Sequence, residues 1–332
     1  MPTCVGFRIR ESSQRGDVRR AAAARAAALG FGDEGAGRVA LVVTELAGNL
    51  VKHAPGGGEI FIGALERSGG AAIEVVCVDE GPGIADRKEA LRDGFSTSGS
   101  PGTGLGAVER LSDDFDFYSH PGRGTIVVSR IWREQRPERP VVDIGAVCAA
   151  KEGEEVCGDA YAIAETEARM RIVVADGLGH GVDAGKASAE AVRIFRREGT
   201  RPVGDVLAAM HDALRATRGA AVAIADIDHE ARTLDYAGLG NIAGVIVAPE
   251  GIRNLVSHNG TVGHSLRRIQ EFRYELPPHA LLVLHSDGLK SRWSLDPYPG
   301  LMERAPGVVA GILYRDFQRG RDDATALVAR VP

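Results

Sequence analysis

Apolar and polar positions alternate along the chain in a way that predicts two series of elements. The first series opens with a strand-like segment at residues 5–11 and two helical patterns with apolar stripes at 17–32 and 37–54. The elements after them are strands at 58–66 and 71–80, a helix at 105–115 and a hairpin at 115–120 and 125–132. The first series therefore contains both helices and strands.

The second series consists of many short strand patterns with two amphipathic helices between them. The strand patterns lie at 141–151, 159–165, 170–176, 220–228, 233–240, 244–249 and 280–288, and the helices at 184–198 and 202–217. Frequent strands and few helices indicate sheets covered by helices. A polar, proline-rich stretch separates the two series. We therefore predict two α+β domains, at residues 1–133 and 141–332, with a linker at 134–140.

Composition narrows the class of protein. A length of 332 residues suits two domains, and 44% hydrophobic with 26% charged residues excludes disordered and fibrous classes. The net charge of −5 does not indicate nucleic acid or an anionic membrane as partner. The N-terminus is too charged for a signal peptide, and no apolar run is long enough to span a bilayer. A cytoplasmic protein is expected, and the sequence does not indicate its oligomeric state.

The four cysteines carry no CxxC spacing, which argues against structural zinc and a disulfide scaffold. Cys77 lies in an apolar run and is expected in a core. Cys157 precedes Asp159 by two residues, and a structural role is the favoured interpretation.

The helix at 37–54 carries a polar face. Glu45, Asn49 and Lys52 stand at i, i+4 and i+7, with His53 beside them. A carboxylate and an amide one turn apart can hold a hard cation and orient a water or hydroxyl. Taken alone, this helix favours a solvated face.

Glycine-rich segments elsewhere favour a binding site over a solvated helix face. In DEGPGI, Asp79 ends a strand and can accept a hydrogen bond from an amino group, and the glycines behind it let a flat ligand approach the backbone. In GTGLGA, residues 102–107, glycines open a helix whose free N–H groups favour a phosphate. GRGT, residues 122–125, is by itself only a hairpin turn. The four segments in this order predict a nucleotide site.

ELAGNLVKHA, DEGPGI, GTGLGA and GRGTIV resemble the N, G1, G2 and G3 boxes of the GHKL ATP-binding fold. The resemblance is to small anti-sigma-factor serine kinases of the RsbT type, over about residues 3–133. It implies an α/β sandwich with a mixed sheet, helices on one face, and ATP with Mg²⁺. It assigns Mg²⁺ to Asn49, a catalytic base or water-orienting role to Glu45, and the adenine amino group to Asp79. The other implied nucleotide contacts are Lys52, His53, Gly81, Gly83, Gly102, Thr103, Gly104, Leu105, Gly106 and Thr125.

One position departs from that pattern. Gly48 stands where such kinases often have a larger, frequently basic residue. This bears on phosphotransfer more than on ATP binding. A histidine kinase is not expected, because no long dimerisation helix precedes the domain, and His53 is interpreted as a helix-end residue near the nucleotide.

Aspartates follow apolar strands at four places in the second half: Asp159, Asp176, Asp287 and the pair Asp322 and Asp323. Carboxylates buried side by side are unfavourable unless cations neutralise them. Oxygen ligands without a Cys or His set select Mg²⁺ or Mn²⁺. Two such ions can activate a bridging water and hold a phosphoryl oxygen. This pattern predicts phosphate ester hydrolysis.

GDAY, ADGLGHG, GLGNI, HSDGL and RDDATALV resemble the metal-dependent Ser/Thr phosphatases of the 2C type, with the SpoIIE and RsbX branch the nearest match, over about residues 141–331. The resemblance implies an αββα sandwich with two Mn²⁺ or Mg²⁺ ions. Asp176 would be the catalytic residue that bridges both ions, and the Gly177 carbonyl would complete one site. Asp287 and Asp322 would bind the second ion, with Asp159 nearby as a supporting carboxylate.

Some assignments stay open at this point. Asp323 stands where many relatives have Asn, so either Asp322 or Asp323 is the ligand. His180 could act on the leaving group, but a structural role in the GHG turn is favoured. GLGNI, residues 238–242, is expected to shape a turn near the site.

Together the two resemblances imply a switch in bacterial stress or sigma-factor partner switching. The implied substrates are Ser or Thr residues on STAS-domain proteins of the stressosome or anti-anti-sigma type. One half would transfer the γ-phosphate of ATP and the other would remove it. The alternative is a phosphatase whose ATP-binding domain regulates it or docks partners without phosphotransfer.

Overall fold

The computed structural model describes residues 3–67, 70–91, 104–134, 142–266 and 268–331. The predicted linker lies outside these residues except for Glu134, and so do Gly102 and Thr103. None of the helices in these ranges is both long and apolar enough to cross a bilayer.

The elements fall into three five-stranded sheets and seven α-helices within the described residues. The helices are α1 Arg15–Ala28, α2 Asp33–His53, α3 Arg87–Ala90, α4 Gly104–Leu111, α5 Val182–Glu198, α6 Val203–Leu214 and α7 Pro306–Phe317. The first five strands are β1 Cys4–Ile9, β2 Gly58–Arg67, β3 Gly70–Asp79, β4 Asp114–Ser119 and β5 Thr125–Trp132. The others are β6 Asp143–Ala149, β7 Asp159–Glu165, β8 Arg169–Gly177, β9 Ala220–Asp228, β10 Thr233–Leu239, β11 Ala243–Ala248, β12 Gly251–Asn254, β13 Phe272–Glu275, β14 Leu281–His285 and β15 Ala324–Arg330.

The first sheet has the order β1-β2-β3-β5-β4 and is covered on one face by α1, α2 and α4. Every neighbouring pair of its strands is antiparallel, so the expected mixed sheet is wrong in that detail. The reason is local, because β2–β3 and β4–β5 are adjacent strands joined by short connections, which pair antiparallel. The predicted helix at 105–115 ends at Leu111, since Asp114 already pairs with Arg130 in β4.

The second half is an αββα sandwich, as expected. Sheets of order β13-β10-β9-β8-β7 and β12-β11-β14-β15-β6 enclose a common apolar core. Helices α5 and α6 cover the first of these sheets, and α7 packs against β6 and β15 of the second. The two-domain α+β class is therefore confirmed. The apolar pattern of the second half did not predict α7, β12, β13 or β15.

Helix α7 also packs against the first sheet, along β3 and β5. Two glycines on the helix make this close approach possible. A Cβ at Gly307 would lie 3.2 Å from Val128 Cγ2, and one at Gly311 would lie 2.6 Å from Ile126 Cγ2. The helix is therefore a layer shared by both domains.

A buried ion pair lies at the same interface. Glu74 Oε2 accepts a hydrogen bond from Arg130 Nη2 at 2.7 Å, and both side chains are almost fully buried. Across the domain interface, Arg130 Nη1 donates to Asp143 at 2.9 Å and the Ala146 N–H donates to Glu74 Oε1 at 3.2 Å. Burial raises the pKa of Glu74, and the Arg130 charge opposes that rise. Removing one partner of such a pair leaves the other charge buried.

We expect Glu74→Ala to lower the free energy of unfolding by about 3 kcal/mol or more, because Arg130 would lose its buried partner. The matched control is Arg196→Ala, which removes an exposed ion pair to Glu66 between the same two domains. The control should cost about 1 kcal/mol or less. Urea unfolding followed by tryptophan fluorescence measures both. A loss for Glu74→Ala no larger than for the control would contradict the prediction.

Candidate functional site

A cavity of about 530 Å³ opens between α2, β3, β5 and α4. The size is typical of small-molecule sites. Its walls are apolar near Leu50, Cys77 and Val127. The residues predicted from sequence that line it are Asn49, Lys52, His53, Asp79, Gly83, Gly104, Leu105 and Thr125.

Helix α2 supplies the polar wall of this cavity. Its apolar face, including Val42 and Leu46, is buried in the first domain's core, which leaves the face of Asn49 and Lys52 turned to the cavity. Lys52 and His53 occupy the last turn, where cationic groups complement the helix dipole. This amphipathic pattern places the predicted side chains without help from distant segments.

Asp79 ends β3 beneath the cavity. Its Oδ1 accepts hydrogen bonds from the Gly81 N–H at 2.7 Å and the Thr125 N–H at 3.2 Å. Burial raises the pKa of Asp79, and these two backbone donors oppose the rise. Among the described residues both donors go to Oδ1, so Oδ2 is the oxygen that can accept from a ligand amino group.

Two glycines allow close approaches between backbone segments near Asp79. Gly124 has φ +74°, and a Cβ there would lie 2.0 Å from the Asp79 carbonyl oxygen. Gly83 also has φ +74°, and its Cβ would lie 2.2 Å from the His120 carbonyl oxygen. Neither approach is open to a residue with a side chain. The acceptor geometry of Asp79, together with the apolar walls, fits a purine with an amino group.

Other predicted nucleotide contacts lie behind or beside this lining. Gly81 packs against Asp79, and Gly106 lets α4 approach the Leu91 carbonyl oxygen, 2.6 Å from a Cβ at that position. Glu45 is half-buried and lies outside the cavity lining within the described residues. The placement of Gly102 and Thr103 lies outside the described residues.

The space beside Gly48 is filled from another helix. A Cβ at Gly48 would lie 3.3 Å from Nη2 of Arg15, which comes from the first turn of α1. Arg15 Nη2 also lies 3.5 Å from the Thr44 carbonyl oxygen, and its buried Nε has no hydrogen-bond partner in the described part of the chain. A cation therefore covers position 48 although the residue there is glycine. Sequence reasoning missed Arg15, because no local signal links the two positions.

In the second domain, strand register brings the first two carboxylates together. Asp159 on β7 and Asp176 on β8 are direct cross-strand partners. Burial raises the pKa of Asp176 strongly, and the nearby carboxylates of Asp159, Asp287 and Asp322 raise it further. Asp287, just after β14, and Asp322, just before β15, therefore lie near the cross-strand pair, and the four predicted acidic residues form one cluster.

Neighbouring polar groups hold two of these carboxylates in place. Ser286 Oγ donates to Asp159 Oδ2 at 2.7 Å, and Asn241 Nδ2 donates to Asp287 Oδ2 at 2.7 Å. Both partners lie within motifs singled out from the sequence, HSDGL and GLGNI, but sequence reasoning assigned neither a role. GLGNI was expected only to shape a turn.

Asp322 and Asp323 point to different neighbours. Asp323 Oδ1 accepts from the Lys151 N–H at 2.9 Å, which ties it to the loop between β6 and β7. The Asp322 charge raises the pKa of Asp176, and the Asp323 charge raises that of Asp159, although burial is the larger cause in both cases. Gly177 is held tightly, because a Cβ there would lie 2.0 Å from the Ala184 carbonyl oxygen.

Two features test whether this site suits a cation. Asp159 Oδ1 and Asp323 Oδ2 are buried and have no hydrogen-bond partner among the described residues, which is the arrangement expected of oxygens that a cation satisfies. However, no three carboxylate, thiol or imidazole groups in the described ranges already converge to the spacing of a bound ion. The donor set fits Mg²⁺ or Mn²⁺, and the individual ligands stay a prediction.

Two other predicted features lie beside the acidic cluster. His180 Nδ1 lies 2.6 Å from Glu154 Oε1, in a turn whose flanking residues Gly179 and Gly181 have positive φ. Cys157 Sγ lies 3.5 Å from Cys148 Sγ, and both are free thiols.

Comparison with known proteins agrees with both halves of this geometry. Residues 166–332 match the family model described as stage II sporulation protein E (SpoIIE), and residues 10–131 match the histidine kinase-like ATPase domain. The chain is 39% identical over 104 residues to the serine/threonine-protein kinase RsbT of Bacillus subtilis (strain 168), covering 31% of this chain and 77% of RsbT. It is 30% identical over 101 residues to the phosphoserine phosphatase RsbX of the same organism, covering 30% of this chain and 51% of RsbX.

Solved structures give the same picture for the fold. A chain from a study of the bacterial stressosome, described as a modular system adapted to control secondary messenger signalling, has a TM-score of 0.54 at 27% identity, covering 58% of this chain and 100% of that one. The crystal structure of RsbX in complex with magnesium has a TM-score of 0.50 at 20% identity, covering 60% of this chain and 98% of that one, which supports the fold alone.

The fold and the family matches together show that the chain consists of a histidine-kinase-like ATPase domain fused to a 2C-type phosphatase domain. The chain belongs to the SpoIIE family, whose model matches its second half, and its first half is homologous to RsbT. The two resemblances predicted from the sequence motifs are thereby confirmed.

We expect Asp79→Asn to weaken binding of a fluorescent ATP analogue by about 10-fold or more, because a hydrogen bond to a charged acceptor is worth about 1.5–3 kcal/mol. Glu80→Gln is the matched control, since Glu80 is exposed and lies outside the cavity lining. Fluorescence titration measures both variants. Equal affinities for Asp79→Asn and the control would contradict the assignment of Asp79.

Proposed function

We propose that the protein is a bifunctional regulator of bacterial stress or sigma-factor partner switching. Its first domain transfers the γ-phosphate of ATP to Ser or Thr of a STAS-domain protein, and its second domain hydrolyses the resulting phosphoester. The observation that carries the hydrolytic half is the cross-strand pair Asp159 and Asp176, which lies near Asp287 and Asp322. The homologues RsbT and RsbX, a kinase and a phosphoserine phosphatase by name, support the pairing of activities.

In the phosphatase site, this chain supplies the oxygen ligands and their supports. Asp176 and the Gly177 carbonyl, with Asp287 and Asp322, would hold two Mg²⁺ or Mn²⁺ ions. The ions, when bound, neutralise the carboxylates and supply an activated water. Asn241 fixes the orientation of Asp287 through the 2.7 Å hydrogen bond. Ser286 fixes Asp159 through its Oδ2, and the buried Oδ1, which has no hydrogen-bond partner among the described residues, would be available to a cation.

In the kinase half, Asp79 would accept the adenine amino group, and Asn49 would hold Mg²⁺ on the phosphates. The N-terminus of α4, at Gly104, lies on the cavity wall, where free N–H groups favour a phosphate. Glu45, one helical turn before Asn49, would orient the attacking hydroxyl of a protein substrate. Arg15 adds a positive charge beside that turn.

A second candidate has one observation in its favour. Glu45 lies outside the cavity lining, so the first domain would bind ATP without transferring phosphate and would regulate the phosphatase. The 39% identity to a protein kinase over 104 residues favours transfer.

We expect Asp176→Asn to reduce Mn²⁺-dependent release of phosphate from p-nitrophenyl phosphate by about 100-fold or more, since the bridging carboxylate supports charge stabilisation worth several kcal/mol. Asp205→Asn, at an exposed position on α6, is the control and should keep full activity. Undiminished activity of Asp176→Asn would show that the metal assignment is wrong.

We expect the Asp176→Asn protein to transfer label from γ-labelled ATP with Mg²⁺ to a Ser or Thr of a STAS-domain protein encoded nearby. This variant is used so that the product is not hydrolysed. Adding Glu45→Gln should abolish the label while leaving ATP affinity unchanged, because Glu45 lies outside the cavity lining. ATP binding without label on any such partner would favour the regulatory alternative.

A further inference from the structure

One helix lies between the two candidate sites and contacts both. Near the end of α7, the Arg315 side chain is only 4% exposed. Its Nη1 donates to the Asp79 carbonyl oxygen at 3.4 Å, and its Nε and Nη2 donate to the Asp316 carboxylate at 2.8 Å each. One residue earlier, Tyr314 donates to Glu59 Oε2 at 2.5 Å. The end of β3, which includes the proposed adenine acceptor Asp79, therefore contacts α7.

The same helix end is tied to the metal-site segments. The Phe317 carbonyl oxygen accepts from the Lys290 N–H at 2.8 Å, and the Arg319 N–H donates to the Gly288 carbonyl oxygen at 2.8 Å. These two bonds hold the segment that directly follows Asp287. The chain then reaches Asp322 within five residues of the end of α7. Two of the acidic segments are thus fixed relative to the C-terminal end of this helix.

Close packing on two sides restricts the position of α7. Gly307 and Gly311 leave no spare distance to Val128 and Ile126, and apolar residues on the opposite side pack against β6 and β15. Close-packed interiors transmit displacement and have few intermediate arrangements. A shift of α7 would therefore move both Asp79 and the metal-site segments.

We propose that α7 couples the two sites, so that a ligand bound at Asp79 strengthens metal binding at Asp287 and Asp322, and bound metal strengthens ligand binding at Asp79. This inference rests on the proposed ligands of both sites. The proposed ligands of both sites lie on segments that contact the C-terminal end of α7 in this arrangement, so a ligand that binds this arrangement more tightly than a displaced one favours it. Linkage requires the two effects to be equal in size. Arg315 acts as a positioning residue between them.

The test measures binding rather than activity and uses the full chain. Adenosine is the nucleotide probe, because it fills the Asp79 end of the cavity and has no phosphate that would bind metal itself. Free Mn²⁺, followed by electron paramagnetic resonance, gives metal affinity with and without saturating adenosine. Calorimetry gives adenosine affinity with and without Mn²⁺. We expect each ligand to tighten the other by the same factor, about fivefold or more.

Two α7 variants test the route. Arg315→Lys keeps the charge but loses the planar fork that joins Asp316 and Asp79. Gly311→Ala places a methyl group against Ile126, 2.6 Å from its Cγ2 before any relaxation. Both should bring the coupling factor to within twofold of one while each ligand still binds alone. Arg196→Ala, at the exposed pair with Glu66, should keep the wild-type factor.

The outcomes separate this proposal from the proposed function. If adenosine does not bind the wild-type chain at all, the assignment of the ATP site is wrong and the proposed coupling is overturned as well. If adenosine and Mn²⁺ both bind and neither changes the other's affinity, the coupling alone is overturned. Coupling that persists in both α7 variants overturns the role of the helix.

Discussion

The burial of α7 between two sheets is the constraint on which the arrangement of this protein depends. A helix normally packs one stripe and leaves the other side to solvent. Here one side closes the phosphatase sandwich, and the other covers the open face of the first sheet, where Gly307 and Gly311 allow contact. The buried pair of Glu74 and Arg130 completes the same interface. The two domains are therefore joined by a continuous core rather than by the segment between them alone.

Much of the fold and the positions of several candidate site residues could be predicted, because their signals are local. Alternating apolar positions indicated the strands, and the amphipathic helix α2 brought Asn49 and Lys52 to one face. The acidic residues were recognisable because each lies beside one end of an apolar run. The strand register pairs Asp159 with Asp176, which the spacing of these residues in the sequence does not predict. Candidate site residues that lie on one helix or strand, or at its end, can be predicted from the sequence.

The features that were missed depend on distant contacts. The α7 segment, PGVVAGILYRDF, is apolar on both sides and contains two interior glycines, so it shows neither helical periodicity nor strong propensity. Arg15 reaches Gly48 from a different helix, and only the packing of α1 on α2 brings them together. In the first sheet, β1 pairs with β2 across two helices and β3 pairs with β5 rather than with β4, and no single strand's sequence specifies these pairings. Each case is decided by tertiary structure.

Asp79 and Asp176 each lie at the end of a buried strand with a glycine one or two residues later, yet their surroundings differ. Asp79 receives two backbone N–H donors on one oxygen, which satisfies part of its charge and leaves one oxygen to select an amino group. Burial raises the pKa of Asp176, and three nearby carboxylates raise it further, so a cation is the partner that its chemistry favours. We therefore expect the ligand class to depend on what neutralises the buried carboxylate, because an aspartate at a strand end with a glycine close behind it does not by itself distinguish a base-recognition site from a metal site.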